Sequence, residues 1–338
     1  MRPCTKDDLT AALDRIAGTP ILVVGDLILD RYIWGKVERI SPEAPVPIVE
    51  VVKSDDRAGG AGNVVANLLA IGAKPTVCGL VGDDEDGARL VQLFKDAGAD
   101  CSGVVVDKGY PTVLKTRVIA HTQQIVRIDR EDRSAASIDL LKRMTSSLEA
   151  RLDGSRAVVM SDYGKGTVSV EVLNALHAAT AENRLGLASR PLFVDPHPRN
   201  YNAYRSMSVA KPNRKEAEIA SGVSISSVSD AFKAARILMQ KWCSEMMVIT
   251  LGEDGMIVQP GDGTPGIHLE TTAQEVFDVS GAGDTVTAVF CSALATGSSP
   301  AVAGVLANIA AGIVVSEIGT VPVDCKRLRH HISHWGEN

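Results

Sequence analysis

The sequence predicts an α/β protein: a doubly wound, mainly parallel sheet flanked by helices, with a small inserted β-sheet lid. Three observations predict it. Short apolar runs alternate with helix-length amphipathic segments, the pattern of a parallel sheet covered on both faces. Those runs lead into Asp26, Asp162, Asp195, Asn213 and Gly252. Ligands of open α/β sheets bind outside the carboxyl ends of the strands, so one shared cleft is expected there. Finally, stretches 31–52 and 111–130 break the alternation, so residues 1–338 read as one domain carrying two lid segments.

The elements follow in order. ILVVGD at 21–26 is an unbroken apolar run ending on an acid, the first strand. Segment 31–52 (RYIWGKVERISPEAPVPIVEVV) is rich in β-branched residues without helical period and reads as an extended pair. A glycine turn at Gly59 and Gly60 precedes a helix over 61–71, then strand 76–82 and helix 86–97. Segment 111–130 (PTVLKTRVIAHTQQIVRIDR) repeats the extended pattern and completes the lid. Helix 136–151, strand 157–162, helix 168–181 and strand 191–195 resume the alternation. Asn213 opens a further helix, and helix 228–241 leads into strand 246–252. Helices over 283–296 and about 299–315 close the domain. Ile33, Trp34, Val46, Ile48 and Val51 supply more apolar surface than one face of a lid needs, which predicts a homodimer through that sheet.

Composition narrows the partners. The chain of 338 residues is 45% hydrophobic and 22% charged, ordinary for a globular protein with a sizeable core. A net charge of −6 without a basic block excludes a nucleic-acid surface. No stretch has a signal-peptide layout or approaches the ~18 apolar residues of a membrane span. The scattered cysteines (4, 78, 101, 243, 291, 325) form no C-x-x-C pair, as in reduced thiols of a cytoplasmic protein. His330, His331 and His334 lack an accompanying carboxylate or thiol pattern and read as a solvated tail helix.

The most informative string is Asp278-Val279-Ser280-Gly281-Ala282-Gly283-Asp284-Thr285, which runs into a helical apolar segment ending at Gly297. Glycines at 281 and 283 let successive N–H groups converge at a helix start, a site for a phosphate or for charge growing on one. Asp284 in that positive setting stays ionised and can take a proton from an attacking hydroxyl. Phosphoryl transfer needs little else: alignment, charge neutralisation and a base. There is no Walker A sequence; Gly164-Lys165-Gly166-Thr167 lacks the required spacing. Gly60-Ala61-Gly62 fails as a dinucleotide fingerprint: Val65 holds the third glycine position, and polar SDDRA, read as non-strand, precedes it.

This string resembles the signature of the ribokinase-like (PfkB) carbohydrate kinases. The resemblance extends through Gly25-Asp26, Asp30, Gly59-Gly60-Ala61-Gly62-Asn63, 211–216 (KPNRKE), 250–255 (TLGEDG) and Ala307-Asn308. It implies a ribokinase-like fold, ATP as donor, Mg²⁺, and a monovalent cation such as K⁺. It also implies that the amides of Gly281, Ala282 and Gly283 meet the moving phosphoryl, that Asp284 is the base, and that Asp278 supports the loop or the cation. Asn213 and Glu216 fit the family's Asn-x-x-Glu element, holding Mg²⁺ through water; the same spacing also makes a helix capping box. Lys211 and Lys215 add positive charge toward the phosphates. Thr250, Gly252 and Gly255 resemble the nucleotide wall, though the turn suits a plain hairpin equally. Asn308, in an apolar helix, is matched to the adenine and its ribose.

Sugars need clustered hydrogen-bonding groups on a rigid frame, here Asp26, Asp30 and Asn63, with Gly59 and Gly60 letting backbone approach the ring. Asp162 and Lys165 at one strand end, Asp195, His197 and Arg199 at another, and Lys115, Arg117, Arg127 and Arg130 on the lid suit a sugar already bearing a phosphate. Among them Lys165 is the first choice for that phosphate. These segments resemble the bacterial heptose-7-phosphate kinase branch. That implies phosphorylation of O1 of D-glycero-D-manno-heptose 7-phosphate to the 1,7-bisphosphate, for ADP-heptose and lipopolysaccharide inner-core synthesis. The alternatives are another ribokinase-like sugar or sugar-phosphate kinase, or a catalytically silent sugar or nucleotide sensor. The chain ends at Asn338 without a His-x-Gly-His element, so the kinase alone is expected, without a fused nucleotidyltransferase.

Overall fold

The computed structural model describes residues 3–121, 123–132, 136–181, 191–273, 278–317 and 319–336. The chain opens with helix α1 (Lys6–Ile16) and strand β1 (Pro20–Gly25), followed by the long hairpin β2 (Leu27–Ile40) and β3 (Pro47–Gly60). Next come α2 (Ala61–Ala70), β4 (Lys74–Gly82), α3 (Glu85–Asp96), β5 (Asp100–Asp107), β6 (Val113–Ala120) and β7 (Gln123–Arg130). The middle holds α4 (Ile138–Leu152), β8 (Ala157–Ser161), α5 (Val170–Ala181), β9 (Leu192–Asp195), β10 (Val209–Ala210) and α6 (Arg214–Ser221). The last part is α7 (Val228–Trp242), β11 (Met246–Thr250), β12 (Met256–Pro260), β13 (Ile267–Leu269), α8 (Ala282–Ala295), α9 (Pro300–Val314) and α10 (Cys325–His334).

The large sheet has nine strands in the order β13-β12-β11-β10-β9-β8-β1-β4-β5. It is parallel from β5 through β11; β12 is added antiparallel to β11, and β13 antiparallel to β12. Strand alternation divides the side chains between two cores. Ile21 and Val23 of β1 pack with Ala157 and Val159 of β8 on the face covered by α1, α2, α8 and α9. Leu22, Val24, Val158 and Met160 point to the face covered by α4, α5 and α7. After β1 the chain goes first to β4 on one side and later to β8 on the other. The crevice at that reversal, between the ends of β1 and β8, is where such sheets bind ligands.

The lid is a separate four-stranded sheet, β3-β2-β6-β7, with β2 and β6 parallel and the outer pairs antiparallel. It is larger than expected: β3 runs through the polar SDDRA segment to Gly60, which the sequence reading had taken out of the strand. The polar residues suit a strand because they pair with one another, Arg31 of β2 with Asp56 across the sheet at 2.8 Å and Arg57 with Asp55 along β3 at 3.0 Å. Outside the lid the predicted strands and helices form with boundaries shifted by at most about two residues, while the first lid pair, expected over 31–52, extends from Leu27 to Gly60. Five further elements lay outside the reading: α1, β5, β10, β12 and β13. Helix α1 starts at a capping box, Thr5 with Asp8, and buries Leu9, Ala12, Leu13 and Ile16 along one stripe.

Candidate active site

Helix α8 begins at Gly281, whose φ of 84° is left-handed and whose Cβ, were one added, would lie 2.7 Å from the Asn63 amide nitrogen. A side chain is thus excluded by conformation and by space. No side chain caps this helix start, so its positive end stays available to an anion. The Ala282 amide is already engaged, donating to the Val279 carbonyl at 3.3 Å, so the turn itself uses one of the donors expected for the phosphoryl.

Asp284 lies in the first turn of α8 and is buried. Its two oxygens are held separately. The Tyr163 hydroxyl donates to Oδ1 at 2.7 Å, and the Asn63 amide donates to Oδ2 at 2.8 Å. Asn63 therefore orients the acid, and does not present both ends of its amide to a sugar. Behind it, buried Asn67 donates to the Asn63 carbonyl at 2.9 Å and accepts from the Thr285 hydroxyl at 2.9 Å. Burial pushes the Asp284 carboxyl up to about 6, reinforced by the charge of Asp195; the Tyr163 and Asn63 hydrogen bonds and Lys211 pull it down. A carboxylate tuned to that range takes up a proton near neutral pH more readily than an ordinary aspartate.

Beside the acid stands a charged wall. Lys211, buried, meets Asp195 at 3.0 Å, and its ammonium lies 3.5 Å from the point a Gly283 Cβ would occupy. Burial would lower the Lys211 ammonium, but the carboxylates of Asp195, Glu216 and Asp284 outweigh it and hold its pKa above the ordinary value. Asp195 also accepts from Thr287 at 3.3 Å. Asp195, expected among the sugar ligands, thus lies beside Lys211 and Thr287 near the start of α8. Asn213 and Glu216 form a reciprocal capping box, Asn213 Oδ1 accepting at 3.0 Å and Glu216 Oε2 at 2.8 Å. Burial, then the nearby Asp195 charge, raises the Glu216 carboxyl.

The residues expected to meet the nucleotide include Asn213, which opens the same helix as Glu216. Asn213 and Thr250 are bridged in parallel, the Thr250 amide donating to Pro212 at 3.2 Å. The turn after Thr250 is a hairpin between β11 and β12, with Gly252 and Gly255 at positive φ. A Cβ on Gly255 would fall 2.0 Å from the Leu269 carbonyl. Asn308 grips the same 269–272 segment from α9, its amide donating to the Glu270 carbonyl at 2.7 Å.

On the sugar side, two acids prove to be loop anchors. Asp26 accepts from the amides of Tyr163, Lys165 and Thr167 at 2.8, 2.9 and 2.9 Å. Asp162 accepts from Asn200 at 2.6 Å, Tyr204 at 2.5 Å and the Gly164 amide at 2.8 Å. Burial and the neighbouring Asp26 charge push Asp162 up to about 6. Together they shape the 162–167 loop that carries Tyr163. Gly60, at φ 59°, lies so close to the Asp26 carbonyl that a Cβ would meet it at 2.5 Å. Asp30 lies over Gly59, where a Cβ would collide with its Oδ2 at 2.1 Å, and pairs with Arg117. Lys165 pairs with Glu131, and Arg127, half-exposed on the lid, folds back on Asp129 at 2.8 and 3.0 Å. Asp278 spends its oxygens on the amides of Ser280 and Gly319 at 2.8 and 2.9 Å, which makes it a loop support.

Tyr163, Asn67 and Thr287 are the site residues that the sequence reading missed. Asn67 was within reach: it follows Asn63 by four residues, the same face of α2. Tyr163 carried no signal beyond its place in SDYGKG, because its contact with Asp284 joins residues 121 apart.

Comparisons with known proteins bear on the family and the fold. Residues 19–325 match the model of the pfkB family carbohydrate kinase. The bifunctional protein HldE of Pelobacter propionicus is 42% identical over 318 residues, 94% of this chain and 64% of that protein. Its counterpart in Geotalea uraniireducens is 44% identical over 313 residues, 93% of this chain and 63% of that protein. The chain therefore spans somewhat less than two-thirds of these relatives' length. Among solved structures, Escherichia coli phosphofructokinase-2 in complex with substrates and products is similar with a TM-score of 0.77 at 18% identity, over 94% of this chain and 99% of that one. Arabidopsis thaliana ribokinase complexed with ribose and ATP gives 0.70 at 20%, over 93% and 99%. The fold is thus the ribokinase-like one that the resemblance implied. With a family match running from residue 19 to residue 325, the chain belongs to the pfkB family of carbohydrate kinases.

Proposed function

We propose that the protein transfers the γ-phosphoryl group of ATP to O1 of D-glycero-D-manno-heptose 7-phosphate, forming the 1,7-bisphosphate and ADP. The observation that carries this reading is the pairing of a buried, individually oriented Asp284 with the uncapped start of α8 and the Lys211 ammonium. The sugar hydroxyl attacks the γ-phosphorus, the bond to the β–γ bridging oxygen breaks, and the hydroxyl proton passes to Asp284. Tyr163 and Asn63 hold the carboxylate in line, while the helix start and Lys211 neutralise charge on the moving group. Thr250, Gly252, Gly255 and Asn308 form the wall for the nucleotide. Identity to HldE proteins at 42–44% supports the heptose branch. The product's place would be in ADP-heptose supply for the lipopolysaccharide inner core.

Glu216 and Asp195 fit a Mg²⁺ ion held through water. Burial first and then the Asp195 charge raise the Glu216 carboxyl, and a dication would offset the repulsion between the two acids. The ion would neutralise nucleotide phosphates. Potassium remains part of the proposal through the family resemblance. A cytoplasmic location fits the six free cysteines, and no described helix is long and apolar enough to cross a membrane.

A dimer through the lid is part of the same proposal. Ile40, Val51, Val52 and Ile128 on the lid sheet are 61, 58, 68 and 57% exposed, a larger apolar face than a lone sheet leaves to water. Ile48→Asp combined with Val51→Asp should give monomers in sedimentation; an unchanged dimer, or a monomeric wild type, rejects the lid interface. The function itself is tested by ADP release with heptose 7-phosphate and with free heptose. The phosphorylated sugar should be favoured in kcat/KM by about two orders of magnitude or more, because a lost ion pair is worth a few kcal/mol. Equal values would refute a phosphate-anchored substrate.

A further inference from the structure

We propose that Lys115, on the central lid strand β6, is the residue that selects a phosphorylated sugar, its ammonium serving as the anchor for the substrate's distal phosphate. This rests on the sugar-phosphate kinase reading above and moves the anchor from Lys165 to Lys115.

Every cation of β6 and β7 except Lys115 is paired with a carboxylate, as is Lys165. Arg117 is paired with Asp30, Lys165 with Glu131, Arg127 with Asp129, and Arg130 with Asp86. Among the described residues no carboxylate makes an ion pair with Lys115, although it is only partly exposed. Its register neighbours are Asp30 on β2 and Asp129 on β7, so it shares the sheet face that carries those acids. Both are already committed to arginines. A half-buried ammonium with no carboxylate partner is costly to maintain unless an anion arrives. Burial depresses the Lys115 ammonium, Asp30 opposes this, and Lys165, Arg117 and Arg127 add to it. A phosphate would reverse that imbalance.

Position supports the same assignment. The Lys115 ammonium lies 5.9 Å from the centre of the Tyr163 ring, and the hydroxyl of that ring donates to Asp284 at 2.7 Å. One tyrosine side chain therefore separates the cation from the base. A heptose whose anomeric hydroxyl meets Asp284 would span the length of the Tyr163 side chain to bring its distal phosphate to Lys115. Lys165 is less suited, since its ammonium is satisfied by Glu131 and its backbone amide and carbonyl are tied to Asp26 and Tyr110.

The experiment compares wild type, Lys115→Met and Lys165→Met. The first readout is the ratio of kcat/KM for heptose 7-phosphate to that for free heptose. The second is calorimetric binding of inorganic phosphate with a non-hydrolysable ATP analogue saturating the nucleotide side. Lys115→Met should cut the preference ratio by about a hundredfold, the size expected for one charge-assisted contact. It should also abolish phosphate binding, whereas Lys165→Met should keep most of both. Lys115→Gln serves the same comparison if the Met variant folds poorly, with analogue binding as the check on folding. A ratio and a phosphate affinity unchanged in the Lys115 variants, or lost only in Lys165→Met, overturns the assignment. If wild type itself shows no preference for the phosphorylated sugar, the functional proposal above falls separately. Phosphate binding then decides alone: loss in Lys115→Met upholds an anion site at Lys115, and retention rejects it.

Discussion

Asp284→Asn should lower kcat by about three orders of magnitude, within the range a positioned general base supplies. The amide is nearly isosteric, so α8 and its glycine turn should persist, and Tyr163 can still donate to the remaining carbonyl. What disappears is the proton acceptor, and the Asn63 amide then faces another donor in place of an oxygen. Nucleotide affinity should change little, which separates loss of chemistry from loss of folding. The wild-type pH profile makes the same point. Burial and Asp195 push Asp284 up to about 6, and the base must be ionised to act, so activity should fall as pH drops through about 6. The variant should lack that acid limb. Turnover within tenfold of wild type would remove Asp284 from the role of base.

The second large effect is expected at Lys211. Lys211→Met removes a buried ammonium that sits against Gly283 and pairs with Asp195. Two consequences follow from one deletion. The moving phosphoryl loses a fixed positive charge in a sheltered site, worth about two to three orders of magnitude in kcat. Asp195, Glu216 and Asp284 are also left with less opposing charge, so the acid limb should move to higher pH, because Lys211 now holds the Asp284 carboxyl down. Steady-state ADP release across pH 5 to about 8 reads both. A kcat within tenfold and an unmoved limb would show that Lys211 serves the fold alone.

Much of this arrangement was legible in the chain. The alternation of apolar runs and amphipathic segments located the strands of the parallel sheet, because a strand buried on both faces has a continuous apolar run. The glycine string at 281–284 located the helix start for a similar reason: Gly281 needs a left-handed φ that few other residues accept. What escaped were pairings set by distance. Asp26 and Asp162 had the look of sugar ligands, acids at strand ends, yet their oxygens are consumed by the 163–167 amides and by Asn200 and Tyr204. No local pattern reveals which partner a carboxylate will take from across a cleft. The SDDRA segment was misread for a related reason. A strand whose side chains pair laterally with Arg31 and its neighbours has no apolar alternation to betray it. Strand β10 is two residues long, with too little sequence to carry a period.

The central claim is that Asp284 directs phosphoryl transfer to the anomeric oxygen of a sugar phosphate. Phosphorus NMR of a reaction containing the protein, ATP, Mg²⁺ and D-glycero-D-manno-heptose 7-phosphate tests it most directly. The account predicts stoichiometric ADP and a new phosphate resonance coupled to the anomeric proton, with the original 7-phosphate resonance retained. ADP formed without phosphorylated sugar, a phosphate on any other oxygen, or faster turnover of fructose 6-phosphate in the parallel reaction would contradict it.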